Sequence, residues 1–222
     1  MPARPDTPEW NRQTLRAEAA QFAEVESTYA EPSLYGVTDG KAIGTYLEHK
    51  FRAHLQQKYT FDAGNSASGI DFPDLNVDMK VTSVKQPQSS CPFKSALQKV
   101  FGLGYALLVF VYEKRDDPEL TAAVLNIKHC IWIEDGQTAD FQMTTGLRRI
   151  AEADGNVDDI DAFLEEKNLP VDPVERRRIA ERILADPPPI GYLTISNALQ
   201  WRLQYGRAIT QAGESSGVEK IR

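Results

Sequence analysis

Gly69-Ile-Asp-Phe-Pro-Asp-Leu-Asn-Val-Asp-Met-Lys-Val-Thr-Ser83 is the stretch on which the reading of this chain turns. Val77, Met79 and Val81 alternate with Asp78, Lys80 and Thr82, the period-two pattern of a half-buried strand. Asp78 and Lys80 therefore share one face, with Met79 turned into the core. Pro73-Asp74 reads as a tight turn that returns the chain, so Asp71, on the strand Ile70 to Phe72, lies across from Asp78. Two carboxylates and a lysine on a hairpin suit a hard divalent cation. Mg²⁺ takes oxygen ligands and needs only one or two carboxylates, with water and substrate phosphate completing its shell. The lysine can orient a water or stabilise developing negative charge. This equipment fits phosphodiester hydrolysis.

Before the hairpin, Pro8 to about Ser27 reads as a helix with Phe22 and Val25 among its apolar positions, broken by Glu31 to Gly36. A second helix starts at Asp39 as N-cap and runs to about Gln57, with Ile43, Tyr46, Leu47, Phe51 and Leu55 as its buried stripe. Gly64 to Gly69 is a polar loop. After the hairpin, Pro87 to Pro92 reads as a loop, and Pro92 opens a helix that runs through Phe101 and is closed by Gly102 and Gly104. Tyr105 to Tyr112 is a continuous apolar run, as in a central strand covered on both faces. Ala122 to Ile133 is a further long strand or a bulged strand. Thr138 to Ala153, Val157 to Lys167 and Pro173 to Ala185 read as helices, Gly191 to Ile195 as a short strand and Ser196 to about Tyr205 as a last helix, capped by Ser196 or Asn197. The expected organisation is an N-terminal helical segment (1–35), an α/β core with a central mixed sheet flanked by helices (36–137), a mainly helical C-terminal region (138–212) and a flexible tail (213–222).

The formal net charge of −7 over 222 residues counts against indiscriminate nucleic-acid binding, which needs many phosphate-neutralising cations. A specific enzyme can still keep a basic cleft on an acidic exterior. No apolar run reaches membrane-spanning length, and the N-terminus lacks the apolar segment of a signal peptide. Two cysteines, Cys91 and Cys130, give neither a disulfide framework nor zinc spacing, which points to a reducing cytoplasm. His49, His54 and His129 are scattered, and no Ser-His-Asp order or phosphate-binding glycine loop is present.

Asp71…Asp78-Met79-Lys80 resembles the signature of the PD-(D/E)XK nucleases, the superfamily of type II restriction endonucleases and the methyl-directed mismatch-repair nickase. The resemblance covers about Thr38 to Ile133. It implies a restriction-endonuclease-like core, Asp71 and Asp78 as metal ligands, and Lys80 as the catalytic lysine. Asp74 is the alternative to Asp71 as first acid. The family often carries a further acid on the helix before the hairpin, and Glu48 fits that role. Mg²⁺, with Mn²⁺ as a substitute, is the implied cofactor. Double-stranded DNA is the implied substrate, and a homodimer the implied assembly, since a palindrome calls for a two-fold protein. A repair or nicking endonuclease of the same fold and a non-enzymatic DNA-binding regulator are the competing readings.

Candidate DNA contacts follow from residue chemistry. Arg reads guanine bidentately and Gln reads adenine. Arg202, Gln204 and Arg207, with Trp201, are expected on the last helix as a reader. Ser83, Lys85 and Gln86 leave the motif strand, and Lys94 and Gln98 are four residues apart on the following helix. Arg176-Arg-Arg178, flanked by Glu175 and Glu181, reads as a salt-bridged helix face instead.

Overall fold

Asn11 and Asp39 start the two N-terminal helices by the same means: each is extended in backbone, and its carbonyl or carboxylate oxygen accepts a hydrogen bond from the first turn. At Asn11 the Thr14 hydroxyl answers back to the cap backbone, completing a capping box. In the computed structural model, which describes residues 9–62, 64, 69–91, 94–196 and 202–222, the order is α1 (Arg12–Glu26), β1 (Ala30–Glu31), α2 (Gly40–Gln56), β2 (Val77–Ser83), β3 (Gln88–Ser90), α3 (Leu97–Phe101), β4 (Ala106–Asp117), β5 (Ala122–Ile133), α4 (Phe141–Glu152), α5 (Val157–Glu166), α6 (Pro173–Ala185), β6 (Thr194–Ile195), β7 (Arg202–Gln204), α7 (Gly206–Gln211) and β8 (Val218–Lys220). Among the described residues no helix is long and apolar enough to cross a membrane.

The chain divides into two compact units. The first comprises Met1–Pro87, Leu107–Trp132 and Glu219–Arg222. Its sheet runs β1-β5-β4-β2, with β8 also on β5. β4 is central, and every residue from Ala106 to Tyr112 is buried, as a strand covered on both faces requires. α2 packs on β2 through Ile43, Leu47, Phe51 and Leu55, and Phe51 is the hub of an aromatic cluster. Its ring centroid lies 5.0 Å from Phe22, 5.2 Å from Phe110 and 6.4 Å, edge-on, from Phe72. Tyr46 is only half-buried. Burial, and then the hydrogen bond its hydroxyl donates to Glu31 (2.8 Å), push the phenol pKa up. Val25 is 63% exposed, against expectation. The buried stripe of α1 runs Leu15, Glu18, Ala19, Phe22, Ala23, Glu26, and its drift around the helix brings in position 26 in place of 25.

Glu18 in that stripe is buried yet polar, and its partners explain why. His54 Nε2 (2.7 Å), Lys58 Nζ (2.7 Å) and the Tyr59 hydroxyl (3.0 Å) all meet its carboxylate. Burial alone raises the carboxyl pKa, but the hydrogen bonds from Lys58, His54 and Tyr59 outweigh it and hold Glu18 below the ordinary 4.5. A depressed folded-state pKa contributes stability that is present above the unfolded value and lost as pH falls through the folded one. Glu18→Gln is therefore expected to lower the melting temperature at neutral pH and to flatten its fall on acidification below about pH 4.5. Melting curves of the two proteins that stay parallel from about pH 3 to 7 would refute this.

The second unit comprises Gln88–Ala106 and Ile133–Val218. α3 to α6 pack around Val100, Met143, Leu147, Ile160, Leu164, Ile179 and Ile183. Arg176 pairs with Asp161 (3.0 Å) and Glu165, Arg177 with Asp158 and Glu181, and Arg178 with Glu175, so the basic run is a salt-bridged helix face as its flanks suggested. β3, β7 and β6 form a small antiparallel sheet.

Four expectations are corrected. Pro87 to Pro92 is not simply a loop, because Gln88–Ser90 pairs with Arg202–Gln204. The helix through Phe101 is one short turn from Leu97; Pro92 lies outside the described residues. The expected helix at Ser196 to Tyr205 is a strand at Arg202–Gln204, with a helix only from Gly206; Asn197 and Trp201 lie outside the described residues. Fully buried Leu203 and Tyr205 alternate with exposed Arg202 and Gln204, which is period two rather than 3.6. The C-terminal stretch from Gly213 is not a loose tail. Val218 is buried, Ile221 N–H donates to the Cys130 carbonyl (2.8 Å), and Arg222 Nη1 donates to Ser27 Oγ (2.8 Å).

Candidate active site

Asp71, Asp78, Lys80 and Glu48 come together in the first unit, lining a cleft of about 320 Å³ with Arg52, Gly64 and Ile70. The hairpin is tighter than its sequence suggests. Among the described residues Ile70 to Phe72 contributes a single bridge, between Phe72 and Val77, and no ladder. A 3-10 turn over Pro73–Leu75 and a left-handed Asn76 (φ 54°) reverse the chain. The turn is anchored from α1, where Arg12 Nε donates to the Leu75 carbonyl (2.9 Å). Gly64 closes the other side. Its N–H donates to the Asp71 carbonyl (3.2 Å), and a Cβ there would stand 2.0 Å from the Ile70 carbonyl oxygen, so only glycine lets the loop pass.

β2 then places the acids. Asp78 is 3% exposed, and its Oδ2 lies 2.7 Å from Lys80 Nζ. Asp71 Oδ2 accepts the Met79 N–H (2.9 Å), which sets its carboxyl within hydrogen-bonding reach of Asp78. Burial pushes the Asp78 pKa up to about 7; Lys80 opposes the rise and Asp71 adds to it. Glu48, on α2, is also raised, by burial first and by Asp71 second, against the pull of Lys80 and Arg52. Asp74, the alternative first acid, is turned away: its Oδ2 accepts the Asp62 N–H (3.0 Å), and it does not line the cleft.

Arg52 was not singled out by sequence. It follows Glu48 by four residues, so one helix face presents both. Its Nη2 donates to Asp71 Oδ1, while its buried Nε has no hydrogen-bond partner among the described residues. The spacing from Glu48 was a signal, but charged residues on a polar helix face usually only meet solvent.

Among the described residues no group of three or more His, Cys, Asp or Glu side chains is arranged as a metal cage. Mg²⁺ does not ask for one: one or two carboxylates suffice when water and phosphate complete the octahedron. The buried Asp78 carboxyl and the half-buried Asp71 carboxyl, within hydrogen-bonding reach of each other, form an oxygen-only donor pair whose crowding a hard cation would relieve. The residues therefore fit a Mg²⁺-like ion.

The expected DNA contacts are scattered. Ser83 ends β2, and Lys85 and Gln86 lie exposed in the turn after it, shaped by the Thr82 hydroxyl donating to the Gln86 carbonyl (3.1 Å). Lys94 precedes α3 rather than riding on it, and Gln98 is engaged locally, accepting from Lys94 N–H (3.3 Å) and donating to the Leu103 carbonyl (3.1 Å). The shared helix face expected for these two does not exist. Arg202 and Gln204 project from β7, and Arg207 stacks 3.6 Å from the Phe141 ring centroid.

The sequence profile of type II restriction enzyme NspV matches residues 9–220. The chain is 60% identical over 206 residues to the type II restriction enzyme NspV of Nostoc sp. (strain ATCC 29411 / PCC 7524), covering 93% of this chain and 94% of that protein. A tetrameric restriction endonuclease SfiI, solved bound to cognate DNA, superimposes with a TM-score of 0.44 at 12% identity, over 94% of this chain and 81% of that one. The full-length match and the high identity set aside the regulator and repair-nickase readings: the chain belongs to the NspV family of type II restriction enzymes.

Proposed function

We propose that this restriction enzyme hydrolyses double-stranded DNA at the cleft of Asp71, Asp78, Lys80 and Glu48, with Mg²⁺ or, in substitution, Mn²⁺. The observation that carries the reading is the carboxyl pair on β2 and its turn, with Lys80 Nζ 2.7 Å from Asp78. Asp71 and Asp78 would hold the cation. When bound, such an ion polarises the scissile phosphate and lowers the pKa of water. Lys80 stands beside the carboxylates, where it orients the attacking water and offsets charge developing on the phosphate. Arg52 fixes Asp71 through Oδ1 and keeps its Nε–H for a phosphate oxygen. Glu48, on the cleft wall with a raised pKa, is placed to exchange a proton with a water in the cleft. Lys85 and Gln86, in the exposed turn leaving β2, are placed to follow the DNA backbone. A two-fold homodimer matches a palindromic site. The two buried, free cysteines are in keeping with a cytoplasmic setting.

Incubation of the protein with mixed-sequence plasmid DNA, with and without Mg²⁺, followed by end sequencing, tests the reading. Discrete fragments that appear only with the metal and carry 5′-phosphates are expected; cutting that survives chelation would exclude it. Lys80→Ala sharpens the test. A contact made only in the transition state shows in rate rather than affinity. The single-turnover rate should fall by about 10²–10³, near the ~2.7–4 kcal/mol that one such donor is worth. A fall of less than about tenfold, roughly 1.4 kcal/mol, takes Lys80 out of the chemistry.

A further inference from the structure

The small sheet of the second unit has two unlike faces. In its register Gln88 stands opposite Gln204, and Gln204 opposite Thr194; one step along, Ser90 stands opposite Arg202. Directly opposed residues point to the same side of a sheet, and residues two apart share it. One face is thus Ile195, Leu203 and Tyr205, all buried, with the Ser89 hydroxyl 2.5 Å from the Tyr205 hydroxyl beneath. The other face carries Gln88, Gln204 and Thr194 in one row and Ser90 and Arg202 in the next. Ser196 continues the second row, its Oγ accepting the Arg202 N–H (3.3 Å).

That outer face is unusual for this protein. The chain holds 32 acidic residues, yet none of these six positions is acidic and one is a cation. Arg202 and Gln204 are exposed, and among the described residues Arg202 makes no ion pair. The platform beneath is fixed: Asp140, the N-cap of α4, accepts from both Met143 N–H (2.9 Å) and Ile195 N–H (2.8 Å), tying β6 to the helix. Three strands at ~4.8 Å spacing span about 10 Å. The major groove of B-DNA is about 12 Å wide and admits such a ribbon. Arg, Gln, Ser and Thr are the side chains that pair with base edges there, Arg with guanine and Gln with adenine. Arg207, by contrast, is committed to the Phe141 ring.

We infer that the outer face of β3-β7-β6 is a base-reading surface that enters the DNA major groove, with Arg202 on a guanine and Gln204 on an adenine. The inference rests on the family's DNA-cleaving role and assigns the sequence selection to residues outside the hydrolytic cleft.

The test is selection of bound duplexes from a randomised pool, with EDTA or with Ca²⁺ in place of Mg²⁺, followed by sequencing and by affinity measurements on the selected duplex and its single-pair variants. Selection needs no hydrolysis, so failure of the Asp71-Asp78-Lys80 assignment leaves this test standing, and the converse holds. Arg202→Ala should relax one G·C pair and Gln204→Ala one A·T pair, each losing about five- to 150-fold of preference. Arg202→Lys should relax the same pair as Arg202→Ala, because lysine keeps the charge but lacks the planar fork. Melting temperatures should stay at the parental value, both side chains being exposed. A parental protein that selects no sequence, variants that keep every preference, or affinity that falls evenly on all duplexes would each overturn the inference.

Discussion

Asp78→Asn is expected to leave a folded protein that binds its DNA and does not cut it, with a single-turnover rate at least about a thousandfold below the parent. The size follows from electrostatics. A unit charge about 4 Å from another is worth ~4 kcal/mol at an effective dielectric of 20, and each 1.36 kcal/mol is tenfold in rate. Asparagine keeps the shape and can still accept from Lys80, but it removes the anion that a divalent ion would meet. The fold should not suffer, because the substitution also ends the crowding of the buried Asp78 carboxyl against the half-buried Asp71. The melting temperature without metal should be no lower than the parent's. Cleavage at the parental rate would remove Asp78 from the centre. Loss of both cleavage and the melting transition would show that its role is structural.

The juxtaposition of the candidate site residues was legible in the sequence because strand geometry is simple. Residues 78 and 80 share a face by period two, and a proline turn returns Asp71 beside them. The second helix was equally legible. Its cap at Asp39 and its stripe Ile43, Leu47, Phe51 and Leu55 are local signals that the structure keeps. So are β5, with the bounds Ala122 to Ile133 that the sequence suggested, and the buried part of β4, read from its apolar run. What stayed hidden depends on distant partners. Gln88–Ser90 is three polar residues that become a strand only because Arg202–Gln204 lies beside them, 114 positions away in the register Ser89 to Leu203. Arg202-Leu203-Gln204-Tyr205 did carry a local signal, since its apolar members alternate, but four residues of alternation compete poorly with an aromatic-rich run ahead of a real helix at Gly206. Arg52 was hidden for another reason: its partner Asp71 arrives only once the Gly64 loop closes over Ile70.

Phe51→Ala should cost more stability than any surface change, and it should also disturb the cleft. Phe51 is fully buried and touches rings from three other elements: Phe22 of α1, Phe110 of β4, and Phe72, which follows Asp71 in the chain. Truncating a buried phenylalanine typically costs about 3–5 kcal/mol, the lost transfer energy plus the cavity left behind. Ring-edge contacts of this kind add roughly 0.5–1.5 kcal/mol beyond area alone. The functional consequence comes from position. Phe51 is the residue before Arg52 and three after Glu48, and it holds α2 against the ring next to Asp71. Loosening it lets the wall of the cleft move relative to the acids. Near-attack geometry is unforgiving, and a misplacement of about 1 Å can cost 10²-fold in rate. The expected result is a denaturant midpoint shifted down with an unchanged m-value, and a lower cleavage rate even under conditions where the variant is fully folded. Phe51→Leu, which keeps most of the volume, should recover most of both. A variant that loses stability but cuts at the parental rate when folded would show that the aromatic cluster supports the fold without setting the position of Asp71.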